Sequence, residues 1–201
     1  GKTLLTILAV IVVVVGAFMA YKYLYLPQRS EKAGEMMFAA EQNFQTQDYE
    51  LALNGDGNNM GFLDVISKYG GTPEGNIAKH YAGICYLKTG DLESALKYFQ
   101  EFKPTKGVPN GLINTQNLGL RGDVYSQMGD YANAAANYEK AVAQKEDMMT
   151  TPYYLKKLGL VYMQLGRNAD AVKVFRRISD EFPGSVEGHD AEKFIGAADQ
   201  N

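Results

Sequence analysis

Three stretches of this sequence repeat one spacing of small and aromatic residues, and that spacing restricts the fold more than any other feature. Each runs glycine, tyrosine three later, glycine four after that, alanine five on, and an aromatic four beyond. The sets are Gly83, Tyr86, Gly90, Ala95, Phe99; Gly122, Tyr125, Gly129, Ala134, Tyr138; and Gly159, Tyr162, Gly166, Ala171, Phe175. The middle glycine reads as a helix stop, because it accepts the left-handed backbone that closes a helix without steric cost. The first glycine and the alanine then fall on successive helices. Small side chains there let the two backbones approach, and the rings fill the space between. The spacing predicts helix pairs stacked in series, an all-α solenoid.

These positions resemble those of the tetratricopeptide repeat. Pro183, 24 residues after Gly159, stands where that repeat closes with proline. The leading glycines recur at 39 residues (83 to 122) and 37 residues (122 to 159), against about 34 for the consensus. The extra residues fall in 104–111 and 145–150. Loops absorb such insertions because closure cost rises slowly with length. Upstream, Ala40 and the run Gln47-Asp48-Tyr49-Glu50-Leu51-Ala52 read as a degenerate repeat in the same frame. Its second helix is interrupted at 54–61 and resumes at 62–69. Residues 187–198 read as an amphipathic capping helix with Phe194 and Ile195 inward. The expected organisation is a transmembrane anchor at 1–26, a linker at 27–32 and a repeat domain at 33–201. That domain divides into a degenerate repeat at 33–75, repeats at about 76–110, 115–148 and 152–185, and the cap: about four helix pairs.

The anchor rests on a different signal. No charged residue lies between Thr3 and Tyr21, and residues 4–26 are interrupted only by Lys22. As a helix they extend roughly 35 Å at ~1.5 Å per residue, enough for a hydrocarbon core of about 30 Å. Tyr21, Tyr23 and Tyr25 suit an interfacial aromatic belt, and Lys22 can snorkel to the headgroups. Pro27 is expected to end the segment. A cleavable signal peptide would have a shorter apolar core and a small-x-small exit. Here Phe18 occupies the position three before a cut after Ala20, and Cys85 lies too deep for a lipobox. A retained anchor is therefore expected. Lys2 precedes the span while Lys22, Arg29 and Lys32 follow it, which by simple counting places the C-terminal part inside. The sequence opens at Gly1 and not at Met, so upstream residues are expected and the count decides little.

Charge and composition exclude several function classes. With 20 Lys+Arg against 23 Asp+Glu, the net charge is −3 and the pI about 5.5. A nucleic-acid-binding domain would show a basic stripe and a high pI. The first 30 residues carry three cations and no acid, so the remainder carries −6. One cysteine and two distant histidines, His80 and His189, rule out a disulfide framework and leave little for zinc or nucleophile chemistry. Asp56, Asn58 and Asn59 offer oxygens, but position twelve counted from Asp56 is Ser67 where an EF-hand needs glutamate. A turn is the expected reading of that loop. Cys85 reads as a buried, unreactive thiol. No nucleophile elbow, zinc-protease helix or phosphate loop is present. Neither enzyme activity, a cofactor nor a metal is expected.

Function in such an array is expected on the face lined by the first helix of each pair. The repeat frame places Ile77, His80, Ile84, Leu87 and Lys88 there in the first repeat. It places Gln116, Gly119, Asp123, Ser126 and Gln127 there in the second, and Tyr153, Lys156, Leu160, Met163 and Gln164 in the third. The mixed character suits an extended polypeptide bound by many weak contacts, and equally a neighbouring subunit. A chaperone-type carboxylate clamp would need paired Lys and Asn; Lys88 and Lys156 occur without the asparagines.

Taken together, the apolar span entered from Gly1-Lys2, the Tyr-rich exit and the repeats resemble the YfgM-like ancillary subunits of the SecYEG translocon. The runs Leu51-Ala52-Leu53-Asn54-Gly55-Asp56-Gly57-Asn58-Asn59 and Tyr81-Ala82-Gly83-Ile84-Cys85-Tyr86-Leu87 look like the Bacteroidota branch of that family. The resemblance implies a single-pass inner-membrane protein with its repeat domain in the periplasm, from about Ala33 onward. It further implies a place beside the SecYEG channel with a membrane-anchored, prolyl-isomerase-like chaperone, and contact with unfolded or translocating polypeptide. The orientation it implies is opposite to that of the charge count. A structural scaffold of another envelope machine, in cell division, secretion or gliding, is the alternative.

Overall fold

The computed structural model describes residues 1–106, 110–144 and 147–200, and every regular element among them is helical. Both expected insertions, 104–111 and 145–150, fall partly outside the described residues, as does the chain end at 201. The chain forms two compact units, residues 1–85 and 86–201.

The first unit begins with a helix that does not stop where the proline predicts. Helix α1 (Lys2–Ala20) passes through a π-helical turn (Tyr21–Tyr25) into α2 (Leu26–Gln45), giving one unbroken helix of 44 residues. Residues 27–32, expected as a linker, are its continuation. Pro27 lacks an N–H and its ring clashes with the carbonyl four residues back in a regular helix. The widened turn removes that conflict: the Leu26 N–H bonds to the carbonyl of Tyr21, five residues back. Every residue of α1 is exposed, and the segment is long and apolar enough to cross a membrane.

Beyond the turn, α2 becomes amphipathic. Ala33, Met37 and Ala40 are buried on one face, and α2 packs against α3 (Tyr49–Asn54) and α4 (Phe62–Tyr69). Phe44, Phe62 and Tyr81 form an aromatic cluster, with Phe62 stacked on Tyr81 at 5.4 Å and Phe44 edge-on to Tyr81 at 5.1 Å. Tyr81 is carried by α5 (Pro73–Thr89), within which the boundary between the units falls. The loop at 54–61 is a turn organised by Asp56, whose carboxylate accepts from the backbone N–H of Asn58 and Asn59 and from the Asn59 amide. Those bonds hold the Asp56 carboxyl below its usual range.

The second unit is a stack of helices: α6 (Leu92–Glu101), α7 (Asn110–Gln127), α8 (Tyr131–Gln144), α9 (Thr150–Gln164), α10 (Asn168–Glu181) and α11 (Val186–Asp199). Each packs on the next in order from α6 to α7 and from α7 through to α11. In addition α7 touches α9, and α9 touches α11. Packing of each helix on the next, with contacts between the first helices of adjoining pairs, is that of a solenoid. One core runs through it, from Ala134 and Tyr138 past Leu155, Leu158 and Phe175 to Ala191 and Ile195.

The same turn recurs at four helix ends. Gly90, Gly129 and Gly166 have φ of 90°, 78° and 69°, and the N–H that follows each returns to the carbonyl of Tyr86, Tyr125 or Tyr162 at 2.8–2.9 Å. This is the closure of a helix by a left-handed residue. In the degenerate repeat Gln47 takes that place with φ 65°, and Asp48 N–H returns to Asn43 O at 2.9 Å. The frame is kept although the glycine is not.

Candidate functional site

The residues that the sequence assigned to a binding face do not all stand together. In the first unit Ile77 is half-buried, whereas His80 and Ile84 are 1% and 8% exposed. His80 sets its ring edge-on to Tyr81 at 5.9 Å. These two are core residues, which corrects the expectation that they face a ligand: the frame gave the helix but not which of its sides the neighbouring elements cover. Leu87 is half-buried and Lys88 exposed. Gly119 is another correction, since a β-carbon there would run into the ring of Tyr154.

On α7 and α9 the structure does bring several of them together. Asp123, Ser126 and Gln127 from α7 and Lys157, Leu160 and Val161 from α9 line a cavity of about 310 Å³, with Tyr138 of α8 at its base. Asp123 is its polar centre. One carboxylate oxygen accepts from both the Tyr138 hydroxyl and the Lys157 ammonium, each at 2.6 Å. The Lys157 and Asp123 side chains are only 25% and 19% exposed. Burial pulls the Lys157 pKa down, but the Asp123 charge and hydrogen bonds to Asp123 and Tyr153 outweigh it, so the net shift is upward. Burial first, and then the Asp123 charge, push Tyr138 well above the ordinary tyrosine range. The cluster is therefore a carboxylate, an ammonium and a phenol joined through one oxygen.

Tyr153 extends this cluster. Its ring is 43% exposed, and the Lys157 ammonium lies 4.6 Å from the ring centre. Leu160, 38% exposed, adds an apolar wall. Around Lys157 the structure thus gathers Asp123, Gln127, Tyr153 and Leu160, all assigned from the repeat frame, while Gln116 stands exposed on the same α7. Sequence reasoning missed Lys157 itself and chose Lys156. The neighbouring lysine instead places its ammonium 5.3 Å from the ring of Phe194 on α11. Adjacent helical residues lie about 100° apart, so a one-residue error changes the face. Met163 is partly buried against the core.

A larger depression of about 570 Å³ lies between α8 and α10. Its floor includes Leu155 and Leu158, which are already core residues at 2% and 4% exposure, and on its rim Arg177 pairs with Glu181 at 2.7 Å. The smaller cavity is the better candidate, because there a carboxylate, an ammonium and a phenol meet at one oxygen. Among the described residues no group of three or more His, Cys, Asp or Glu is placed to hold a metal ion.

Comparison with known proteins agrees with this architecture. Residues 78–103 and 120–186 each match a tetratricopeptide repeat family. The chain is 30% identical over 112 residues to the Protein CTR9 homolog of Arabidopsis thaliana, covering 55% of this chain and 9% of that protein. It is 34% identical over 55 residues to the Photosystem I assembly protein Ycf3 of Synechococcus sp. (strain CC9605), covering 27% of this chain and 32% of that protein. The chain therefore spans a third or less of these relatives. Among solved structures it is similar to a tetratricopeptide repeat protein from Parabacteroides merdae, with TM-score 0.68 and 17% identity over 85% of this chain and 61% of the other. It is also similar to MamA protein, with TM-score 0.61 and 17% identity over 85% and 82%. At such identity these two likenesses concern the fold alone. The chain carries tetratricopeptide repeats, and arrays of this kind present extended surfaces on which protein partners bind.

Proposed function

We propose that this protein is a membrane-anchored tetratricopeptide subunit that holds a polypeptide segment against the face shared by α7 and α9. The single observation carrying this reading is the cavity in which Asp123, Lys157 and Gln127 converge beside the exposed Tyr153 and Leu160. A fixed charge pair flanked by an aromatic and an aliphatic surface suits backbone amides and apolar side chains of an extended chain. The 44-residue helix with its exposed apolar half supports an anchor through residues 4–26 in the lipid bilayer.

Within that reading, the resemblance to YfgM-like proteins supports a more specific role. The protein is an ancillary subunit of the SecYEG translocon in a bacterial inner membrane, with its repeats in the periplasm. There it receives translocating envelope proteins or a membrane-anchored prolyl-isomerase-like chaperone. The test is a photo-crosslinking residue placed at Gln127 or Leu160 of the full chain in native membranes. Adducts with secretory polypeptides or with the chaperone, and co-purification of SecY, support the role. A single dedicated partner at fixed stoichiometry without translocon components would instead make the protein a scaffold of another envelope complex. Adducts that appear equally from Lys140, an exposed residue on α8, would remove the α7–α9 face as the binding site.

A further inference from the structure

We propose that residues 68–71, the end of α4 and the turn that leads toward α5, dock on the headgroup layer of an anionic bilayer, so that α3 and α4 stand on the membrane surface. This inference rests on the anchor reading above and concerns residues outside the α7–α9 face.

The turn is fixed to the helix at the height where the membrane ends. Arg29 is the fastening. One of its guanidinium nitrogens donates to the Tyr25 hydroxyl at 2.9 Å, one turn below, and another donates to the backbone carbonyl of Lys68. The guanidinium carbon lies 5.8 Å from the Tyr25 ring centre and 5.3 Å from that of Tyr69. One residue on, the Ser30 hydroxyl donates to the Glu74 carboxylate at the start of α5. Both ends of the turn are thus tied to residues 25–30 of the rod.

Height follows from the helix. Tyr21 and Tyr25 stack at 5.7 Å and are both exposed, and such tyrosines sit at headgroup level. Headgroups add about 5–7 Å outside each face of the hydrocarbon core. Arg29 lies only four residues past Tyr25, about 6 Å along the axis. The Tyr69 ring and the Lys68 backbone, held against Arg29, therefore lie within the headgroup layer or at its edge.

Charge selects the lipid. Residues 20–34 and 66–74 contain Lys22, Arg29, Lys32 and Lys68 against Glu31 and Glu74, a local charge of +2 in a chain of net −3. Lys22, Lys32 and Lys68 are exposed, and Gly70 and Gly71 leave no side chain to hold the turn off the surface. Clustered lysines beside a membrane span attract anionic headgroups within a Debye length.

Because the chain contains no tryptophan, a single introduced one is an unambiguous reporter. Full-length Tyr69→Trp, which keeps an aromatic face for Arg29, is reconstituted in phosphatidylcholine vesicles with or without phosphatidylglycerol. Val13→Trp, in the middle of the apolar run, is prepared in parallel. The expected result is strong quenching of the Tyr69→Trp reporter by a headgroup spin label and of the Val13→Trp reporter by a mid-chain label. Omitting phosphatidylglycerol, or adding Lys68→Glu, should lower the headgroup quenching by about twofold or more. Val13→Trp quenched while Tyr69→Trp is not would overturn the docking and leave the anchor standing. Neither reporter quenched would overturn both. Headgroup quenching indifferent to lipid charge and to Lys68→Glu would overturn the anionic specificity.

Discussion

Gly122 on α7 faces the ring of Tyr138 on α8 so closely that a β-carbon added to the glycine would stand 2.5 Å from the ring's Cε1. The ring has no freedom to yield, since its hydroxyl is held by Asp123 at 2.6 Å. Gly122→Ala is therefore expected to overpack the interface and cost about 1–3 kcal/mol. Gly196 on α11 meets nothing within 4 Å, and Gly196→Ala should stabilise by about 0.5–1 kcal/mol through reduced chain entropy. Thermal melts of the two variants should move in opposite directions. A Gly122→Ala melt equal to that of the wild type would contradict the interlock.

Asp123 ties three helices together through one oxygen. Replacing it with asparagine leaves the Lys157 ammonium with its buried stem but without its anion, and should cost about 1–3 kcal/mol in urea unfolding. Lys157→Met removes the other partner. In a double-mutant cycle the pair should lose clearly less than the sum of the single losses, because the second substitution removes the charge that the first left unpaired. Strict additivity would mean that the contact is energetically idle.

Gln47 holds a left-handed backbone that the other repeats give to glycine. A non-glycine residue in that region carries a strain of order 1–3 kcal/mol. Since the Gln47 side chain is exposed, Gln47→Gly should raise the unfolding midpoint in denaturant by about 1 kcal/mol equivalent, after the greater entropy of glycine in the unfolded chain is subtracted. A lower midpoint would show that the glutamine side chain contributes more than the turn costs.

Alkaline pH should destabilise the fold well before it hydrolyses anything. Burial raises Cys85 to about 12. Burial and the bond donated to Glu139 raise Tyr162 to about 12. Tyr138 and Tyr154 are pushed higher still, first by burial and then by the Asp123 charge. Each folded pKa lies above its unfolded value, so the unfolded chain binds fewer protons and stability falls as pH rises. The contribution is fully present below the unfolded values, 9.0 for the thiol and 10.0 for the phenols, and is lost from there through the folded ones. Melting temperature measured from pH 8 to 11 should be flat at first and then fall, with a shallower fall for Tyr162→Phe. A melting temperature that rises across that interval would reverse the assignment.

Much of the architecture is written in local chemistry. Gly90, Gly129 and Gly166 announce helix ends because only they accept that backbone cheaply, and each end lies where the spacing predicts. Gly122 and Gly159 announce close approach because the rings of Tyr138 and Phe175 occupy the space a side chain would need. Pro27 misled for an equally physical reason. A proline forbids a regular helix, yet one π-helical turn accommodates it, and nothing in the flanking residues signals that turn. The candidate site was legible by element and not by contact. The frame found Asp123, but its cation lies 34 positions away, and choosing Lys157 over Lys156 needs the rotation of α9. His80 was misplaced because burial is decided by the elements that pack around it, which no single helix reveals.

The unbroken rod from Lys2 to Gln45 has a mechanical corollary. A domain on a string samples every tilt, whereas this one inherits the tilt of its stem. Bilayer thickness and neighbouring spans set how a membrane helix leans and turns. In the anchored state proposed above, that lean passes directly to α3 and α4, which pack on the same helix. A nudge inside the lipid becomes a change of pose outside it, with no slack between.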